Sequence, residues 1–307
     1  MKNFLPLCTL LLLNFLAPLT AQNNDIAWVG ADKIFENKPA LPGDLVYVPF
    51  QLADGKIVVN ARLEGKPKLF MLDTGAPGLI LNGKNINEAS QTDAEFSPVV
   101  NTDQTVVSHF EWAGVQRGNT NAGVVNIGHL EAASGLSLAG LIGYDLLKNS
   151  EVLFDYSNHQ LILSRDRKSV WHKDRKPKAV FSFQMIDHLP VLKVKIGNRW
   201  AYLGLDCGAE SNLLDDSFLK SLPKSMLSKV KKEKLIGMNQ AEVTSVSARI
   251  SKTEIDKETF TDMKYLFADL SGIKGDADFK IDGLLGFPFF KSAVISINYK
   301  KQKLYVW

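Results

Sequence analysis

One short acidic turn occurs twice in this 307-residue chain, as Leu72-Asp73-Thr74-Gly75-Ala76 and as Leu205-Asp206-Cys207-Gly208-Ala209, 133 residues apart. Each copy is an apolar strand end, an aspartate, a small residue and a Gly-Ala pair. That composition lets the backbone turn sharply and present the carboxylate. The surroundings repeat as well. The same shift pairs Phe50-Gln51-Leu52 with Phe183-Gln184-Met185, Asp54 with Asp187, Val58-Val59 with Val191-Leu192, and Leu63 with Ile196. Further on, Gly140-Leu141-Ile142-Gly143-Tyr144 pairs with Gly283-Leu284-Leu285-Gly286-Phe287 at a shift of 143. The second copy therefore carries ten extra residues between its acidic turn and its Gly-apolar-apolar-Gly segment, a loop insertion that costs little stability. Units of this length are a duplicated lobe and not a solenoid array.

Strand signals dominate between these landmarks. Leu45 to Val48, Ile57 to Val59, Val152 to Phe154, Leu161 to Leu163, Val191 to Ile196 and Leu304 to Val306 read as strands, several alternating apolar with polar residues. Short helices are expected from Asp215-Asp216-Ser217 to a break at Pro223, and after Gly143. Residues 101 to 126, punctuated by Gly114, Gly118 and Gly123, read as strands and turns forming a mobile hairpin. Trp112 within it is expected to pack in a core or interface.

The amino terminus has Lys2, an apolar run from Phe4 to Leu19, and Thr20-Ala21-Gln22. This is the pattern of a secretory signal peptide cut after Ala21, so the mature chain is expected to be exported, periplasmic or extracellular. No other segment is apolar enough to span a bilayer, and no permanent membrane span is expected. Removal of the signal takes Cys8 with it and leaves Cys207 alone, so no intramolecular disulfide can form. The division read from the repeat is a signal peptide over 1–21, an N-terminal lobe over 22–164, a linker over 165–178 and a C-terminal lobe over 179–307. The linker is basic but broken by Asp166, Asp174 and Pro177, as a solvated connection is. A net charge of +3 argues against a nucleic-acid partner.

The turn Asp73-Thr74-Gly75-Ala76, followed about seventy residues later by Gly140-Leu141-Ile142-Gly143-Tyr144-Asp145-Leu146-Leu147, resembles the retropepsin-like aspartic proteases, and its repetition within one chain resembles the fused lobes of pepsin-like enzymes. The resemblance runs from Phe50 to Trp307. It implies a mostly β fold of two retropepsin-like β-barrel lobes related by internal duplication, with a few short helices. It implies Asp73 and Asp206 as a catalytic dyad. Thr74, Gly75, Cys207 and Gly208 would support the dyad within the turns, and Gly143 and Gly286 from beneath. An aspartic endopeptidase acting on peptide or protein substrates follows, expected to work as a monomer without cofactor or metal. Two carboxyls held together in a cleft cannot both ionise cheaply, so they share a proton and can act as paired acid and base; aspartic-protease dyads are the standard case of such coupling.

Cys207 departs from this pattern. The family has a Thr or Ser hydroxyl there that helps lock the two turns together, and a thiol is a poor donor. That leaves open a non-catalytic peptide-binding protein of the same fold, and also a dyad assembled between two chains. A nucleophilic Cys207 lacks an evident His partner, so a buried inert thiol is expected. His109, His129, His159, His172 and His188 show no metal-ligand spacing and read as surface or locally hydrogen-bonded side chains. The spacing around Ser137 is not that of a serine hydrolase, and no phosphate loop or dinucleotide glycine pattern is present.

Overall fold

The computed structural model describes residues 45–85, 103–165, 171–236, 242–270 and 281–307. The expected signal peptide lies outside the described residues. The first half of the chain contributes β1 (Leu45–Pro49), β2 (Gln51–Ala53), β3 (Lys56–Leu63), β4 (Lys66–Leu72), β5 (Leu79–Asn82), β6 (Asp103–Trp112), β7 (Val115–Val125), β8 (Gly140–Ile142), β9 (Glu151–Asp155) and β10 (Gln160–Ser164). Helices α1 (Gly128–Ser134) and α2 (Tyr144–Leu147) are interleaved, and α3 (Trp171–Asp174) follows.

The second half contributes β11 (Ala179–Ser182), β12 (Gln184–Ile186), β13 (Leu189–Ile196), β14 (Arg199–Leu205), β15 (Asn212–Asp215), β16 (Leu227–Ile236), β17 (Glu242–Ile255), β18 (Glu258–Ala268), β19 (Gly283–Leu285), β20 (Ile295–Asn298) and β21 (Lys303–Val306). Its helices are α4 (Asp216–Ser221) and α5 (Phe287–Lys291). The bounds of β2 to β5 recur in β12 to β15 at the shift read from the sequence.

Two closed barrels result. In the first, β3, β4, β8, β5, β7 and β6 pair in that order and β6 returns to β3; in the second, β13, β14, β19, β15, β18 and β17 do the same. Closure leaves few unpaired edges, and alternating burial along the strands fills each interior. A third sheet, ordered β1-β10-β9-β20-β21-β11, takes three strands from each half and is continuous across the β9–β20 pairing. The expectation of two β-barrel lobes with short helices is borne out.

Local chemistry accounts for the elements that position the turns. Asp215 caps α4 by accepting a hydrogen bond from Ser217 N at 3.1 Å, and α5 opens with Pro288 in its first turn, where the missing N–H costs nothing. The 103–125 hairpin is anchored. Arg165 Nη2 donates to Ala113 O at its tip, and β6 also pairs with β3. Trp112 is buried in the barrel core, as expected, and is not a cap over a cleft.

In each barrel the short strand formed by the Gly-apolar-apolar-Gly segment runs between the strand entering the acidic turn and the strand leaving it. Thus β8 lies parallel to β4 and antiparallel to β5, and β19 lies parallel to β14 and antiparallel to β15. The crossing is tight. A Cβ on Gly140 would stand 1.9 Å from Ile80 O, and one on Gly283 would stand 2.1 Å from Leu213 O. Only glycine lets the two backbones approach so closely.

Candidate active site

The apolar ends of β4 and β14 run into the acidic turns, and the chain beneath holds both in place. Asp73 N donates to Ile142 O at 2.9 Å and Asp206 N donates to Leu285 O at 3.0 Å. After each turn the chain is held again: Tyr144 N donates to Ala76 O, and Phe287 N donates to Ala209 O, each at 2.8 Å. Gly143 and Gly286 sit at these contacts. A Cβ on Gly143 would meet Ala76 O at 2.3 Å, and one on Gly286 would meet Ser211 O at 2.5 Å. The second lobe adds a bond, Gly286 N donating to Asn212 Oδ1 at 2.9 Å.

Within the turns, Gly75 N donates to Asp73 Oδ1 and Gly208 N donates to Asp206 Oδ1, both at 2.9 Å. Asp73 and Asp206 are 1% exposed, and their carboxyls lie within hydrogen-bond reach of each other. Gly208 lies against the partner carboxyl, where a Cβ would come within 2.8 Å of Asp73 Cγ. All eight residues singled out in the sequence are therefore brought together at one place. Both aspartates come from a single chain, so the pairing does not require a second copy.

Burial raises Asp73 to about 6 against bonds from Asp206, Gly75 and Ala76 that lower it. Asp206 is pushed well above the usual carboxylate range, first by burial and then by the charge of Asp73. Its Oδ2 receives no hydrogen bond from any N–H or O–H group among the described residues. One proton shared between the two carboxyls would remove the cost of two adjacent buried charges.

The lock between the turns is unequal. Thr74 Oγ1 donates to Leu205 O at 3.0 Å and accepts from Cys207 N at 2.9 Å. In return, the Cys207 thiol donates to Leu72 O at 3.5 Å, a weak contact for a weak donor. Cys207 is fully buried, and burial pushes its thiol up, reinforced by the two aspartates. This is the environment of an inert thiol.

Several contributors escaped sequence reasoning. Near the dyad, Tyr156 packs edge-on with Phe50 and Phe287, while Tyr299 packs edge-on with Phe183 and Tyr144. The two clusters are duplicates of one another, which the repeat alone could have revealed. Across the lobe junction, buried Lys56 bonds both Asp54 and Glu210. Burial raises Glu210 to about 7 despite the opposing pull of Lys56. His188 Nε2 bonds Gly75 O at 2.7 Å from the opposite lobe. Nothing in the local sequence marks the Lys56–Glu210 and His188–Gly75 contacts, because each joins residues more than a hundred positions apart.

Among the described residues no group of three or more His, Cys, Asp or Glu side chains could hold a metal ion, and no helix is long and apolar enough to cross a membrane.

Comparison with known proteins agrees with this geometry. The model of the aspartyl protease family matches residues 192–289, a stretch holding the second acidic turn and the crossing beneath it. Among solved structures, the chain is similar to the aspartic proteinase from Irpex lacteus, with a TM-score of 0.52 and 12% identity over 85% of this chain and 96% of that one. That likeness is one of fold. No curated protein matches the sequence. The family match thus covers the second lobe, and the structural likeness extends the fold over both.

Proposed function

We propose that the mature chain is an exported aspartic endopeptidase, working as a monomer on peptide or protein substrates. The observation that carries this reading is the pair of buried carboxyls, one from each lobe, within reach of each other. Asp73 holds its proton less tightly, so in the one-proton state its carboxylate is the base. It takes a proton from a water, whose oxygen bonds to the carbonyl carbon. Asp206 gives its proton to the carbonyl oxygen, so the tetrahedral intermediate forms without an oxyanion. Collapse of the intermediate returns that hydroxyl proton to the dyad, the proton held by Asp73 passes to the amide nitrogen, and the C–N bond breaks.

The test is peptide hydrolysis by the wild type, Asp73→Asn and Asp206→Asn. Loss of the base or the acid should lower kcat/KM by roughly a thousandfold in either variant. Equal activity in all three proteins would end the protease reading. The long thiol contact of Cys207 favours one rival, a peptide-binding protein whose second turn no longer supports catalysis. Peptide binding without hydrolysis in the wild type would select it.

A further inference from the structure

The hairpin turn ahead of each acidic turn reaches the opposite lobe, and the two turns do so with different chemistry. In the first lobe, Ala53 and Lys56 close a two-residue turn around Asp54 and Gly55; in the second, Ile186 and Leu189 close one around Asp187 and His188. The repeat places His188 opposite Gly55 and Leu189 opposite Lys56. Asp54 and Asp187 are both left-handed, at φ 50° and 52°, but only the first turn continues with a second left-handed residue, Gly55 at φ 73°. The second turn carries a side chain where the first has none, and that side chain crosses between the lobes.

His188 is 8% exposed, and its Nε2 lies 2.7 Å from Gly75 O. A carbonyl only accepts, so Nε2 carries the hydrogen and donates. Burial lowers the basicity of the ring, which keeps the neutral tautomer in use. Gly75 is thereby held at both ends: its N–H donates to Asp73 Oδ1 at 2.9 Å, and its carbonyl is gripped by the opposite lobe. The equivalent glycine of the second turn has no counterpart of His188, since Gly55 offers no side chain. The first lobe instead reaches the chain beyond Asp206 through Lys56 and Glu210.

We infer that His188 is a positioning residue for the dyad, acting on Asp73 from the opposite lobe through the Gly75 carbonyl. This rests on the protease reading for its effect on turnover, but not for its effect on Asp73 itself. A hydrogen bond two residues from a reacting carboxylate governs the angle at which that carboxylate meets its partner, and small misplacements of reacting groups are costly.

The experiment compares wild type, His188→Gly and His188→Gln by steady-state peptide hydrolysis, with the titration of Asp73 followed by carboxyl 13C NMR. Glycine makes the two hairpins alike, and the glutamine amide restores a donor near the Nε2 position. His188→Gly should lower kcat about tenfold with KM little changed and move the Asp73 titration upward, because the Gly75 N–H bond to its ionised form is loosened. His188→Gln should recover most of both. Wild-type kcat and an unmoved titration in His188→Gly would overturn the inference. So would a glutamine variant as impaired as the glycine one, which would mark His188 as packing alone. If the wild type cleaves no peptide, the protease reading falls, and the Asp73 titration in the three proteins still decides whether His188 positions it.

Discussion

The two acidic turns share a backbone but differ in how tightly they are tied. The turn at Asp73 contributes a threonine hydroxyl that both donates and accepts across the junction, at 3.0 and 2.9 Å, while the turn at Asp206 contributes a thiol at 3.5 Å. The crossing beneath them is nearly identical in the two lobes, with Ile142 and Leu285 accepting from the aspartate N–H groups and Tyr144 and Phe287 donating to Ala76 and Ala209. Steric necessity thus governs the support of both turns alike, whereas the lock between them is asymmetric. The asymmetry extends to the carboxyls: burial raises both, and the charge of Asp73 raises Asp206 further.

The largest structural effect is expected where the lobes agree. Gly143→Ala and Gly286→Ala each force a Cβ against a backbone carbonyl, at 2.3 and 2.5 Å, and each should cost about 3 kcal/mol in urea unfolding. A markedly smaller cost in one lobe would show that the two crossings are not equivalent supports.

The ionisation difference predicts a pH profile of similar size. Below about 6, Asp73 is protonated along with Asp206 and no base remains, so two pH units lower kcat/KM should have fallen about a hundredfold. The profile should fall again at higher pH, where Asp206 also loses its proton. Stability moves with a definite sign. Asp73 is raised from 3.8 to about 6 in the folded chain, so its contribution is complete below about pH 4 and is lost as pH rises through about 6. Glu210, raised to about 7, adds a loss of the same sign. Tm should therefore decline across this range, less steeply in Asp73→Asn; an equal slope in that variant would remove Asp73 as a cause.

The lock itself separates the lobes next. Thr74→Val leaves Leu205 O and Cys207 N without their shared partner in a buried site, an expected loss of about 2 kcal/mol in chemical unfolding. Cys207→Ser supplies the missing hydroxyl and should gain about 1 kcal/mol. Were the serine variant less stable than the wild type, the thiol would be fitted to its site rather than a weakened copy of Thr74.

Much of the fold was legible because the repeat carries its own register. Leu72-Asp73 and Leu205-Asp206 end strands whose bounds match at one shift, and strand alternation marked β3, β9, β10 and β13 individually. The β16 to β18 sheet was not read. Lys229, Lys231 and Lys232 make its outer strand polar, and its order comes from pairing with β17 more than from local preference. Helix α5 was missed because Phe287-Pro288-Phe289-Phe290 has aromatic, strand-like composition; burial of Phe289 and Phe290 and the bond from Phe287 N hold it helical. In the candidate site the turn glycines were legible, but Gly140 and Gly283 show their role only when a neighbouring carbonyl is found where a Cβ would be.

By itself the sequence determined that two like lobes exist, that each presents one aspartate on a glycine turn, and that the second turn carries a thiol in place of a hydroxyl. Those properties are local or repeat at a constant spacing, so they survive in one dimension. Tertiary structure decided that the two carboxyls come within reach of each other in a buried site, that burial raises both, and that His188 and Lys56 reach across the junction. Each of those depends on burial or on contact between residues distant in the chain, and both arise only when the two barrels close against each other.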